Sequence, residues 1–166
     1  MKNRCRLCVL LLTMLFLTAC SNAQDIYGSP DNVKVDSVMQ PYFDEFVELM
    51  AENNISINWD KIQTIEAIPL RRGINGLYST ETKNIYINWD YALPRFLTNE
   101  LTPEQQQRMV KEAVFCILAH EIAHSQGYKH VPQGLDLMSK SDAWLYWAIV
   151  NLGHHEYTLM TFCNGQ

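Results

Sequence analysis

Basic charge is scarce in this chain: 13 Lys and Arg stand against 18 Asp and Glu over 166 residues, a formal net charge of −5. A chain with that balance has no cationic surface to offer phosphates, which excludes nucleic acid as a partner. Long apolar runs are missing too. The longest, Cys8 to Leu17, is about half of the roughly 20 residues that a membrane-spanning helix needs. Cysteine is also sparse, with five in all, and Cys5, Cys8 and Cys20 fall within the first 20 residues. Only Cys116 and Cys163 are left to pair in the body of the chain, so a dense disulfide framework is excluded. Two readings of that pair stand open: a bridge tying the C-terminal tail to a central helix, or two buried free thiols.

What is present begins with an address. Lys2, Arg4 and Arg6 precede the apolar run, and Leu17-Thr18-Ala19-Cys20 resembles the bacterial lipobox, in which cleavage falls before a cysteine that carries the lipid anchor. The alternatives are an ordinary secretory signal cut after Ala23 or an uncleaved anchor helix. On the lipobox reading, residues 1–19 are a signal peptide and residues 20–31 a polar tether containing Gly28 and Pro30. Residues 32–166 are then one domain. Three of the 13 basic residues leave with the signal, so 10 remain against 18 acidic ones. Ser21 in the second mature position resembles lipoproteins that travel on to the outer membrane. The expected place is the cell envelope, with the lipid on Cys20 as the contact with the membrane.

The stretch that carries chemistry is His120-Glu121-Ile122-Ala123-His124-Ser125-Gln126-Gly127-Tyr128-Lys129-His130. On a helix, positions i and i+4 share a face, so His120 and His124 can offer two nitrogens to one metal ion. Neutral imidazole suits zinc, and a catalytic zinc takes three protein ligands and keeps a fourth position for water. Glu121 follows the first ligand and stands where a general base belongs. A third ligand follows if the helix stops at Gly127, which as a glycine can take the left-handed conformation that turns the chain back toward His130.

His120-Glu121-x-x-His124-x-x-Gly127-x-x-His130 followed by Met138, in Leu137-Met138-Ser139, resembles the signature and Met-turn of the metzincin clan of zinc endopeptidases. The interval from His130 to Met138 is similar to that of matrixins. The resemblance implies an α+β zincin fold: a small twisted mixed sheet, an N-terminal helix, a long active-site helix and a C-terminal helix below the Met-turn. It also implies one zinc ion held by His120, His124 and His130, a protein or peptide substrate and a monomeric enzyme. Zinc would polarise the scissile carbonyl and acidify its water while Glu121 takes the proton and passes it to the leaving amine. In that family the strand before the last lies at the sheet edge and receives substrate as an added strand; by position this is Gly76 to Ser79, for which an ordinary hairpin is the plainer reading.

Some features depart from the clan. Lys140 stands where several relatives have a metal-binding tyrosine; it would either aid an oxyanion or be a solvated lysine. The Asp-rich calcium loops of some relatives are missing, and no structural calcium is expected. Glu156 is the rival to His130 as third ligand, although choosing it leaves Gly127, His130 and Met138 unexplained. His154 and His155 read as a solvated helix end. The alternative function is a zinc-binding surface lipoprotein that keeps the fold without turnover and acts as a binding module.

Periodicity places the elements. Met39, Phe43, Phe46, Val47 and Met50 form the stripe of an amphipathic helix over Asp36 to Glu52, with Pro41 in its first turn. Strands are expected over Ile55 to Trp59, Ile62 to Ile68, Gly76 to Ser79 and Asn84 to Trp89, with turns at Arg72-Gly73 and Glu81 to Asn84. Thr102, Pro103 and Gln105 form an N-cap, first-turn proline and capping box for the active-site helix. Ser141 or Asp142 caps a last helix carrying Trp144, Leu145, Trp147, Ala148, Ile149 and Leu152 and ending at Gly153.

Overall fold

A computed structural model describes residues 28–90, 101–132, 137–139 and 149–164. The leader with Cys20, Lys140 and most of the expected last helix, including Trp144 and Trp147, lie outside the described residues. The chain is mixed α+β. Strand β1 (Lys34–Val35) is followed by helix α1 (Gln40–Glu52), β2 (Thr64–Ile68), β3 (Gly76–Ser79), β4 (Asn84–Asn88), the long helix α2 (Pro103–Gln126) and helix α3 (His154–Asn164). The sheet order is β1-β2-β4-β3, with β1 and β2 parallel, β2 and β4 parallel, and β3 antiparallel to β4. The strand expected at the edge is therefore at the edge, joined to β4 in the register Gly76↔Ile87 to Ser79↔Asn84.

Helix α2 is the axis of the domain. Its start is written locally: the Thr102 side chain accepts from the Gln105 backbone N–H while the Gln105 side chain accepts from the Thr102 N–H, and Pro103 needs no donor there. From Met109 to Ser125 most of its residues are buried, so tertiary packing, not propensity, stabilises it. One flank packs on the sheet, where Ile65, Ile85 and Ile87 are fully buried. On the other, Phe46 of α1 touches Phe115 of α2 and Phe162 of α3, with ring centroids 6.3 and 5.5 Å apart. Full burial of such a side chain stabilises by about 1.5 to 3 kcal/mol, and this one joins three helices.

Two expectations need correction. Helix α1 starts at Gln40 rather than Asp36, because the preceding residues serve the sheet: Lys34 N–H donates to Gln63 at 3.0 Å and Asp36 N–H to Ile65 at 2.9 Å. Before β1, Ser29 caps a single 3₁₀ turn over Pro30–Asn32. Ile55 to Trp59 is not a strand; Trp59–Lys61 is a 3₁₀ turn. Ile57 and Trp59 are buried, with Trp59 edge-on to Phe43 of α1 at 5.5 Å, and the backbone of Asn58 is held by a side chain instead of a ladder. The Gln126 amide accepts from the Asn58 N–H at 2.9 Å and donates to its carbonyl at 3.3 Å. Alternating burial there comes from packing, which periodicity cannot tell from pairing.

Cys116 and Cys163 are free, one buried in α2 and the other exposed on α3, so neither the bridge nor a pair of buried thiols describes them. Burial pushes the Cys116 thiol well above its ordinary range, which makes it inert.

Candidate metal centre

Three ring nitrogens meet at the C-terminal end of α2. His120 Nε2 lies 3.1 Å from His130 Nε2, and His124 Nε2 lies 3.2 Å from the same atom. Helical spacing brings the first two together, since His120 and His124 are one turn apart with ring centroids at 4.7 Å. His130 arrives because Gly127 ends the helix in the left-handed conformation, φ 102°, where its N–H turns back to Ala123 and His124 and the Tyr128 N–H reaches the Ala123 carbonyl at 3.1 Å. A Cβ at Gly127 would meet nothing within 4 Å, so glycine is required there for its backbone conformation and not for space.

Backbone carbonyls orient two of the rings. His120 Nδ1 donates to the Leu137 carbonyl at 2.7 Å and His124 Nδ1 to the Tyr128 carbonyl at 3.0 Å. A carbonyl only accepts, so the proton sits on Nδ1 and the Nε2 lone pair is left facing the cluster. Nitrogens around a tetrahedral ion at roughly 2.0 to 2.1 Å stand about 3.3 Å apart, close to what these rings show. The donor set therefore fits a metal ion, and His120, His124 and His130 are one of two groups among the described residues that could hold one. Glu156 is exposed on α3 and belongs to neither.

Met138 is almost fully buried, in a turn tied down from several sides. The Val131 N–H donates to its carbonyl at 3.0 Å, and the Leu137 N–H donates to Thr161 Oγ1 of α3 at 3.1 Å. Through Leu137 this turn sets the orientation of His120. The sequence points to Met138 but contains no sign of the Leu137 and Tyr128 carbonyls, because every residue has one.

Glu121 is 5% exposed and opens on the same cleft as the three imidazoles, a cavity of about 680 Å³. Burial pushes its carboxyl up to about 7, against the opposing effect of a hydrogen bond from the Tyr78 backbone N–H. That contact explains a residue whose role sequence reading missed. A Cβ at Gly76 would lie 2.6 Å from Glu121 Oε1 and 2.9 Å from Ile117 Cγ2, so only glycine lets the edge strand lie this close to α2. A glycine opening a strand was the available signal, since such glycines mark close backbone approach.

None of the family models, curated proteins or solved structures compared with the chain matches it.

The edge strand forms one wall of the cleft. Asn75 accepts from the Asn88 N–H at 2.8 Å, so by antiparallel alternation the backbone groups of Gly76 and Tyr78 turn away from β4, and of these the Tyr78 N–H is taken by Glu121. The Tyr78 hydroxyl donates to the Lys61 carbonyl at 2.9 Å and pins the strand, while Leu77 is 47% exposed.

Proposed function

We propose that the chain is a zinc-dependent endopeptidase of the metzincin type, held at the cell envelope by a lipid on Cys20. The observation that supports it most is the convergence of three Nε2 atoms beside a buried carboxyl, on a cleft walled by an open strand edge. His120, His124 and His130 would hold the ion. Zinc, when bound, supplies a Lewis acid for a peptide carbonyl and a water of lowered pKa.

The chain's own residues do the rest. Glu121 holds or releases a proton near neutral pH, which suits a group that must act first as base and then as acid. Gly76 and the Tyr78 carbonyl offer backbone groups to an extended peptide, so affinity comes from the main chain and preference from pockets under alternate side chains. The Leu137 and Tyr128 carbonyls fix the imidazole tautomers. A structural zinc site would close its fourth position with another ligand and has no use for a buried acid beside it.

The test pairs metal content with cleavage of an unfolded protein substrate. Wild type should bind zinc and cleave; Glu121→Gln should bind zinc and not cleave. Cleavage retained by a zinc-loaded Glu121→Gln chain would end the endopeptidase mechanism, and zinc binding without cleavage in wild type would leave a zinc-binding lipoprotein acting as a binding module.

A further inference from the structure

The second cluster lies away from the first and shares no residue with it. Glu45 of α1 receives two imidazoles from the start of α3: His154 Nε2 is 2.8 Å and His155 Nε2 2.6 Å from the same oxygen, Oε1. Both histidines stand at a helix end, as the sequence reading has them, with His155 exposed, and the structure adds their shared partner. Consecutive helical residues point about 100° apart at 3.6 residues per turn, yet these rings converge, their centroids 4.3 Å from each other. Phe115 of α2 backs both, with centroids 4.9 and 5.5 Å from His154 and His155.

Two imidazole nitrogens and a carboxylate oxygen, all within 4.8 Å of one another, make a donor set suited to a first-row divalent ion. Three donors, two of them nitrogen, are too few and too soft for calcium or magnesium. Glu45 brings the negative charge that a dication needs. The present separations are those of hydrogen bonds, so an ion replacing the two Nε2 protons requires the donors to part by about half an ångström. Side chains 40% exposed at Glu45 and 47% at His155 have that freedom.

We propose that Glu45, His154 and His155 form a second metal site, for a zinc-type divalent ion, that clamps the start of α3 to α1. The site is separate from the cleft, and its consequence is mechanical: α3 also carries Thr161, whose hydroxyl holds the Leu137 turn that orients His120.

The experiment is a Zn²⁺ titration of the metal-free full chain, read by competition with a chromophoric chelator, on wild type, Glu45→Gln, His155→Ala and His130→Ala. An equivalent of zinc that His155→Ala and Glu45→Gln each weaken tenfold or more, and that His130→Ala spares, supports the proposal whatever the first site does. Failure of the first site would appear separately, as no equivalent sensitive to His130→Ala. The proposal is overturned if wild type binds no zinc, or if every equivalent it binds survives His155→Ala. His155 is half exposed, so its loss leaves the fold intact, and far-UV circular dichroism on each variant checks this.

Discussion

The two histidine clusters differ in where their Nε2 atoms point. In the first, His120 and His124 bind carbonyls through Nδ1, and Nε2 is aimed at other Nε2 atoms. In the second, both Nε2 atoms rest on Glu45. The first arrangement turns two backbone-oriented Nε2 atoms toward His130, while in the second both Nε2 atoms face a carboxylate oxygen. In both clusters the donors stand close enough to hold a metal ion; in the first the backbone aims two of them, and in the second they meet on a shared carboxylate.

That contrast predicts a graded series of effects. The largest falls on turnover: Glu121→Gln should lower proteolysis by about 10² to 10⁴-fold with zinc content unchanged, measured by cleavage rate beside metal analysis. His130→Ala should weaken the first zinc by more than the roughly 10 to 100-fold that loss of an orienting partner costs, read by chelator competition. Gly76→Ala tests the contact between strand and helix; its Cβ has no room against Glu121, and we expect a loss of about 1 to 3 kcal/mol in denaturant unfolding together with reduced cleavage.

Gln126→Ala should cost less, about 1 to 2 kcal/mol, because it strips two partners from the backbone of Asn58 while leaving the three histidines in place. The smallest effect belongs to the second cluster. In metal-free protein Glu45→Gln should change stability by no more than about 1 kcal/mol, the usual worth of a half-exposed pair, read by denaturant unfolding. A large loss of cleavage in this variant would show that the clusters are coupled through α3 and the Leu137 turn.

Legibility from sequence follows the range of the interaction. The capping box of α2, its stop at Gly127 and the pairing of His120 with His124 were readable because each is decided within one or two turns of chain. The edge position of Gly76 to Ser79 also held. Where reading failed, a distant partner had taken the backbone or side chain: Gln126 holds Asn58 from 68 residues away, and the sheet claims Asp36 through Ile65. Glu45 is 109 residues from His154, and no local pattern announces that meeting.

By itself, then, the sequence determined a helix bearing two imidazoles on one face, a carboxyl between them and a left-handed turn leading to a third. Helical periodicity and the conformational freedom of glycine require no other part of the molecule. Only tertiary structure decided which carbonyls orient the rings, why residue 76 must lack a side chain, that Cys116 and Cys163 stay apart, and that two surface histidines share one carboxylate. Each of these depends on surfaces brought together when α1, α3 and the sheet pack around α2, and packing is settled by shape and burial over the whole core.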